Sequence, residues 1–114
     1  MPLYCARLLV VCIVGKSRAR KRNTCDYPFV LIQAEDSEQA FRRALDLGKE
    51  QETLYANEKG QPVRWAFVRV EEIKELPESL DGQEVGSLLD VWHTEKALPY
   101  TKRFQPSRFR PLLT

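Results

Sequence analysis

The chain has 114 residues, of which 43% are hydrophobic and 30% are charged, which is the length and composition of one ordinary globular domain. Its formal net charge is +2 at neutral pH, and it contains one histidine and three cysteines. These values exclude a collagen-like chain, a low-complexity disordered chain and a bundle of membrane helices, and they leave few ligands for a metal site.

The charges fall into three blocks along the chain. Residues 1–34 carry a net charge of +5, residues 35–95 carry −8, and residues 96–114 carry +5. Such segregation indicates an electrostatic partner, which is either nucleic acid or an acidic protein surface. The basic residues that we assign to this contact are Lys16, Arg18, Arg20, Lys21, Arg22, Lys102, Arg103, Arg108 and Arg110.

The cysteine spacing and the length of the apolar runs indicate the cellular compartment. Cys5, Cys12 and Cys25 have no CxxC spacing, so they predict free thiols in a reducing cytosol rather than a disulfide framework or a zinc site. The longest uninterrupted apolar run has seven residues, whereas a membrane helix needs about 20. The main basic cluster follows this run, which is unlike a signal peptide. We therefore expect a cytoplasmic protein without a metal, another cofactor or a membrane contact.

The first third of the chain predicts two strands. Residues 3–14 are apolar at almost every position, which is typical of a strand that is covered on both faces. Residues 16–26 are polar and basic and predict a long hairpin loop. Residues 27–34 predict a second strand, and Pro28 should lie near its start or on an edge because proline cannot donate to a ladder.

A helix should follow the second strand. Asp36 and Gln39 match a capping box, in which each side chain satisfies a backbone N–H of the first turn. From there the apolar positions repeat with a helical period as far as Tyr55. The small residues on one face, which would let the helix pack close to a sheet, are Ala40, Ala44 and Gly48.

The remaining chain predicts two more strands and an arm. Asn57 and Gly60 should end the helix, and residues 63–70 alternate as a third strand with Val63, Trp65, Phe67 and Arg69 on one face. Residues 71–81 read as an acidic linker, and we assign residues 83–92 to a fourth strand in preference to a short helix. Residues 96–114, which interleave prolines, aromatic residues and basic residues, predict an extended arm.

Several short motifs resemble a known family. They are AEDSEQA at residues 34–40, LGK at 47–49, YxNxxGxxVxWxF at 55–67 and DGxEV at 81–85. Together with the order strand, strand, helix, strand, strand, they resemble the small bacterial family catalogued as domain of unknown function 4288. The resemblance implies an α+β domain without an assigned activity. The basic loop and the chain beyond Trp92 are additions to the family pattern.

These elements predict an α+β fold with a four-stranded antiparallel sheet in the order 2-1-3-4, one helix packed on one face and a C-terminal extended arm. Residues 1–95 form the domain, and residues 96–114 form the arm. One helix leaves the other sheet face uncovered, and large exposed apolar patches are rare on monomers. We expect a second copy, or the arm folding back, to cover this face, with a homodimer as the first choice.

The sequence contains none of the common phosphate-binding, zinc or hydrolase motifs, so we expect a non-enzymatic protein-interaction domain. Two alternatives remain open. The first is a nucleic-acid accessory protein that uses the basic residues named above, with the aromatic residues of the arm stacking on bases. The second is a small-ligand site lined by Tyr55, Asn57 and Trp65, where the helix meets the third strand.

Overall fold

The computed structural model describes residues 1–15 and 23–111, and within them it has the expected α+β fold with one long helix and an antiparallel sheet. In chain order the elements are β1 (Leu3–Val14), β2 (Cys25–Asp26), β3 (Phe29–Gln33), α1 (Ser37–Glu50), β4 (Thr53–Ala56), β5 (Pro62–Glu75) and a short 3-10 helix (Pro106–Arg108).

Strand β1 lies in the centre of the sheet, as its apolar sequence predicts. β5 pairs along one side of it, and β2 and β3 pair one after the other along the other side. The predicted second strand is thus divided, because Tyr27 and Pro28 interrupt it. The carbonyl of Pro28 still accepts a hydrogen bond from the amide of Leu8 at 2.9 Å, so the interruption stays against β1.

The predicted fourth strand is wrong, because residues 83–92 form no strand. The outer edge of β5 is instead taken by β4, which pairs with it as a hairpin. The helical period of the sequence predicts that Thr53–Ala56 belong to the helix, but α1 ends at Glu50 and these residues form β4. The order is therefore β2/β3, β1, β5, β4, and the predicted linker at 71–81 begins inside β5, which runs to Glu75.

The turn between β4 and β5 explains why the helix ends early. Gly60 has a φ of 73°, a conformation that glycine adopts without strain, and Asn57 bonds across the turn to Gln61. These residues, which the sequence indicated as helix terminators, close a hairpin instead. Once that hairpin forms, Thr53 and Tyr55 gain a strand partner, which outweighs the local helical period.

The start and the packing face of α1 are as predicted. The Asp36 carboxylate accepts a hydrogen bond from the amide of Gln39 at 2.8 Å, and the Gln39 side chain accepts one from the amide of Glu35 at 2.7 Å. Ala40, Ala44 and Gly48 are the buried residues of the helix. A Cβ atom on Gly48 would overlap the ring of Phe67, so the absence of a side chain there sets how closely the helix approaches β5.

Two register shifts in β5 change the predicted alternation. They lie opposite the pairs Arg7/Leu8 and Leu9/Val10 of β1, and each inserts one extra residue into β5. Phe67 faces the helix, but Arg69 pairs with Leu9 and lies on the opposite face, whereas strict alternation placed it beside Phe67. The shifts keep this arginine out of the core and bring Val70 and Ile73 into it.

The core is one-sided, because α1 covers one face of the sheet only. Its buried members come from β1, from β3 and the residue that follows it, and from α1: Tyr4, Ala6, Leu8, Ile32, Ala34, Ala40 and Ala44. Leu8 is the largest side chain that is fully buried. The other sheet face therefore needs a separate cover.

Gly48→Ala should destabilise the fold, because the ring of Phe67 must move to admit the new methyl group. Overpacking of this kind costs about 1–3 kcal/mol, which exceeds the gain of about 1 kcal/mol in helix propensity. In a Phe67→Leu background the same alanine should be neutral or stabilising, because the overlapping ring atoms are gone. Urea denaturation of the four proteins measures this coupling, and an equal effect in both backgrounds would contradict the packing account.

Candidate interaction surface

The sheet face opposite α1, called the open face below, carries alternate residues of the paired strands. The registers place Leu9 opposite Arg69 and Val11 opposite Ala66 on this face. Its members are Leu3, Cys5, Arg7, Leu9, Val11 and Ile13 from β1, Phe29, Leu31 and Gln33 from β3, and Arg64, Ala66, Arg69, Glu72 and Lys74 from β5.

Residues 83–87 cross part of the open face. The ammonium of Lys74 on β5 donates to the carbonyl of Glu84 at 3.1 Å, and the Arg7 guanidinium on β1 donates to the carbonyl of Ser87. A Cβ atom placed on Gly86 would lie 2.8 Å from the ring of Phe29 on β3, so the chain passes directly over that ring. The segment thus runs from β5 toward β1 and β3, held by hydrogen bonds to its backbone.

The covered part of the open face includes Cys5, which is buried. Burial raises the pKa of the Cys5 thiol, and the nearby Glu72 carboxylate adds to the increase while Lys74 opposes it. The raised pKa keeps the thiol protonated at neutral pH, which makes it a poor nucleophile. This cysteine therefore serves as a small apolar residue of the sheet.

The rest of the open face is an apolar strip with a positive border. Ile13 is exposed, and Leu9, Val11 and Ala66 are each half-buried. Arg69 pairs with Glu71 at 3.2 Å, whereas Arg64 forms no ion pair with any residue that the structure describes. The strip therefore offers apolar contact and one uncompensated positive charge.

The chain beyond the crossing segment does not return to this strip. Every described residue from Ser87 to Pro111 is exposed. The contacts that it makes are local: the rings of Trp92 and Phe104 are 6.3 Å apart, and the Lys102 ammonium lies 5.8 Å from the centre of the Phe104 ring. The expectation that the arm of the same chain folds back over the face is thus not met. Large apolar side chains are left uncovered at Leu88, Leu89, Val91 and Trp92.

The residues of the predicted small-ligand site do not converge. Trp65 donates to the hydroxyl of Tyr55 at 3.2 Å, so these two lie together on adjacent strands. The Asn57 side-chain oxygen accepts from the amides of Lys59 and Gln61, both at 3.0 Å, and is used by the turn. Trp65 lines a cavity of about 230 Å³, and Asn57 lines a different one of about 390 Å³. A ligand role for the three residues stays a prediction.

The basic residues divide between two regions. Lys16, Arg18, Arg20, Lys21 and Arg22 lie outside the described residues. Lys102, Arg103, Arg108 and Arg110 lie exposed on the arm, so their role in binding stays a prediction. In residues 1–15 and 23–111, no helix has the length and apolar character needed to cross a membrane, and no group of three metal-ligating side chains is brought together.

The contacts of the crossing segment are the part of this surface that the sequence did not reveal. They are made through carbonyl oxygens of the segment, which every residue possesses, so no residue pattern marks them. The available signal was Arg7, the single charged residue within an otherwise apolar central strand. Such a residue needs a polar partner when its strand is covered on both faces.

Residues 3–87 match the family described as Domain of unknown function (DUF4288), which covers most of the chain. The chain belongs to this family, as its sequence motifs indicated. No curated protein and no solved structure matches the chain.

Asn57→Ala should destabilise the fold by about 1–3 kcal/mol, because two turn amides lose the acceptor that Asn57 provides. Glu58→Ala, a change at the next exposed position of the same turn, is the matched control and should change stability by less than about 0.5 kcal/mol. Thermal or urea unfolding measures both variants. Equal stability of the Asn57 variant and the parent protein would show that the turn does not depend on this side chain.

Proposed function

We propose that this member of the DUF4288 family is a non-enzymatic, homodimeric protein-interaction domain in which residues 88–92 of each copy cover the open face of the other. The observation that carries the proposal is the presence, in one chain, of two apolar surfaces that do not meet. One is the strip of the open face beside the crossing segment, and the other is the exposed run Leu-Leu-Asp-Val-Trp that follows it.

The chain is more extended than a compact monomer. It exposes 10096 Å², whereas a compact monomer of this mass exposes about 6,500 Å². Every described residue from Ser87 to Pro111 is exposed, and the apolar side chains of Leu88, Leu89, Val91 and Trp92 lie within this stretch. These side chains are therefore available to a partner.

The two surfaces are also complementary in chemistry. Residues 88–92 contain four large apolar side chains and one acid, Asp90. The strip of the open face is apolar and is bordered by Arg64, which forms no ion pair with the described residues. An apolar segment with one negative charge matches this strip better than the basic arm does, since the arm would bring like charges to Arg64.

The crossing segment directs residues 88–92 toward the β3 side of the sheet. Its contacts start at Lys74 on β5 and end beside Arg7 and Phe29, so residues 88–92 leave the sheet on the side of β3. A segment that leaves on that side can reach a neighbour placed there. Exchange of such segments between identical copies gives a closed pair, which is the commonest form of oligomer.

Leu89→Asp/Trp92→Asp should convert the dimer to a monomer. Both side chains are exposed in the single chain, so the changes leave the fold intact while placing charges where the segment meets the partner strip. Burial of each side chain contributes about 1.5–3 kcal/mol, so the dissociation constant should rise by about a hundredfold or more. Sedimentation equilibrium over a range of concentrations measures it.

The matched control is Thr94→Asp/Thr101→Asp, which adds the same charge at two exposed positions of the same stretch. This variant should dimerise like the parent protein. If the parent chain is a monomer at every accessible concentration, the homodimer proposal is wrong.

A nucleic-acid contact remains a second candidate, supported by the arm. Tyr100 is fully exposed, and Lys102 lies over the ring of Phe104, so aromatic faces and positive charges are presented together. Single-stranded nucleic acid is bound by this combination of stacking and charge. The sheet and helix would then serve to display the arm.

This candidate predicts retention of the protein on a single-stranded oligonucleotide at low salt. If the four basic residues of the arm each neutralise one phosphate, the logarithm of the affinity should fall with the logarithm of the salt concentration with a slope of about −3. Lys102→Ala/Arg103→Ala should reduce that slope by roughly half. Absence of retention at low salt would exclude the candidate.

A further inference from the structure

We propose that the crossing segment acts as a strap, which opens and closes over the open face within a single chain and so controls how much apolar surface that face presents. The proposal is independent of the homodimer, because every contact that it uses lies within one chain. It is argued from the way the crossing segment is held, from a buried arginine atom that the closed position leaves without a partner, and from the side chains beneath it.

The crossing segment is held by few hydrogen bonds. Lys74 on β5 donates to the carbonyl of Glu84, and Arg7 on β1 donates to the carbonyl of Ser87. Its own side chains add little burial, since Glu84, Val85 and Ser87 are exposed. Segments with few buried apolar contacts and with hydrogen bonds near solvent open locally at a free energy well below that of global unfolding. The crossing segment can therefore leave the sheet while the sheet stays folded.

The closed position carries an energetic cost at Arg7. Its Nη1 atom donates to Ser87, but its Nε atom is buried and has no hydrogen-bond partner among the described residues. A buried donor without an acceptor has lost its hydration and gained nothing in return. Opening returns this atom to water and lets the guanidinium turn to the exposed carboxylate of Glu72, which lies opposite Arg7 in the ladder. This gain narrows the free-energy difference between the closed and open positions.

The chain on either side of the crossing segment permits the movement. Leu76 is buried, and its amide donates to the carbonyl of Leu3 at 2.8 Å, so the chain is fixed to the sheet before the segment begins. A turn follows, in which the amide of Gln83 donates to the carbonyl of Leu80 at 3.0 Å and Gly82 has a φ of 78°. The described chain beyond the segment is exposed. The segment is thus tethered at one end and can swing about this turn.

Opening extends the apolar strip across β1. Cys5 is buried beneath the closed segment, and the backbone at Gly86 passes over the ring of Phe29. Leu31, which pairs with Cys5 from the neighbouring strand, is already 62% exposed. With the segment displaced, these side chains become continuous with the strip that begins at Leu9. The closed segment is therefore an intramolecular cover that withholds part of the open face from a partner.

The thiol of Cys5 reports the opening, because a maleimide reaches it only when the cover is displaced. Cys12→Ala/Cys25→Ala leaves Cys5 as the only cysteine of the chain. Labelling through local opening exposes little surface, so its rate should change little at low urea, whereas labelling through global unfolding rises steeply with urea. We expect the weak dependence. A rate that follows the global unfolding equilibrium at every urea concentration would overturn the strap.

Lys74→Met removes one of the hydrogen bonds that hold the segment, so it should raise the labelling rate by about threefold to tenfold. Burial and Glu72 raise the pKa of the Cys5 thiol, whereas Lys74 lowers it. Loss of the lysine would by itself slow the reaction, because the thiolate is the reactive form. Lys59→Met, at an exposed position of the turn between β4 and β5, is the matched control and should label at the parent rate. A folded Lys74→Met protein that labels no faster than the parent would contradict the proposal.

Gly86→Val tests the packing beneath the segment. A Cβ atom at Gly86 would lie 2.8 Å from the ring of Phe29, so the larger side chain should lift the segment and raise the labelling rate by about tenfold. In a Phe29→Ala background the same change should have less than about a third of that effect, because the ring is gone. Equal acceleration in both backgrounds would refute the closed position. Circular dichroism verifies each fold, and the urea dependence of the parent decides the question if a variant does not fold.

The strap and the homodimer can fail separately. Sedimentation equilibrium tests the homodimer, and labelling of Cys5 tests the strap. A monomeric parent chain whose labelling depends weakly on urea would refute the homodimer and support the strap. A dimeric parent chain that is labelled only on global unfolding would support the homodimer and refute the strap.

Discussion

Strand β1 is apolar on both of its faces, and the chain supplies one helix. The helix can cover only one of these two faces, so the other face needs a different cover. The face under α1 holds the core around Tyr4, Ala6 and Leu8, and the small residues of the helix allow a close approach. The other face is covered in part by residues 83–87, which bring backbone carbonyls to Arg7 and Lys74. The crossing segment gives Arg7 one carbonyl acceptor through Nη1, whereas the buried Nε of the same guanidinium has no hydrogen-bond partner among the described residues.

The two register shifts of β5 are the means by which a charged strand pairs with an apolar one. Between Phe67 and Ile73 the sequence reads Val-Arg-Val-Glu-Glu, and strict alternation would turn Arg69 toward the helix. Each extra residue reverses the alternation at that point, so valine and isoleucine face the core and the charges face outward. On the outward side the Arg69 Nε lies 3.2 Å from a Glu71 carboxylate oxygen. The two register shifts therefore determine both which side chains of β5 enter the core and which charged side chains face outward.

The sequence predicted those elements whose signals are local. The apolar run of β1, the capping pair Asp36 and Gln39, and the spacing of Ala40, Ala44 and Gly48 all gave the observed structure. β4 was missed because Thr53–Ala56 continues a helical period, and its strand partner lies across a turn. Residues 83–92 have strand-like composition but find no unpaired edge beside β5. The sequence predicted that Tyr55 and Trp65 lie close together, and they share a hydrogen bond. It did not predict that the Asn57 side chain accepts a hydrogen bond within the turn, because that contact depends on the backbone conformation of the turn.

Energetics explain why segment exchange alone would not suffice for a stable pair. Burying the four apolar side chains of residues 88–92 contributes about 6–12 kcal/mol, and ordering five residues costs about 5–10 kcal/mol of backbone entropy. These quantities nearly cancel, so a free segment of this composition binds weakly to its strip. In the proposed homodimer, a further contact between the two copies would be needed to hold the segment at a high local concentration near its strip.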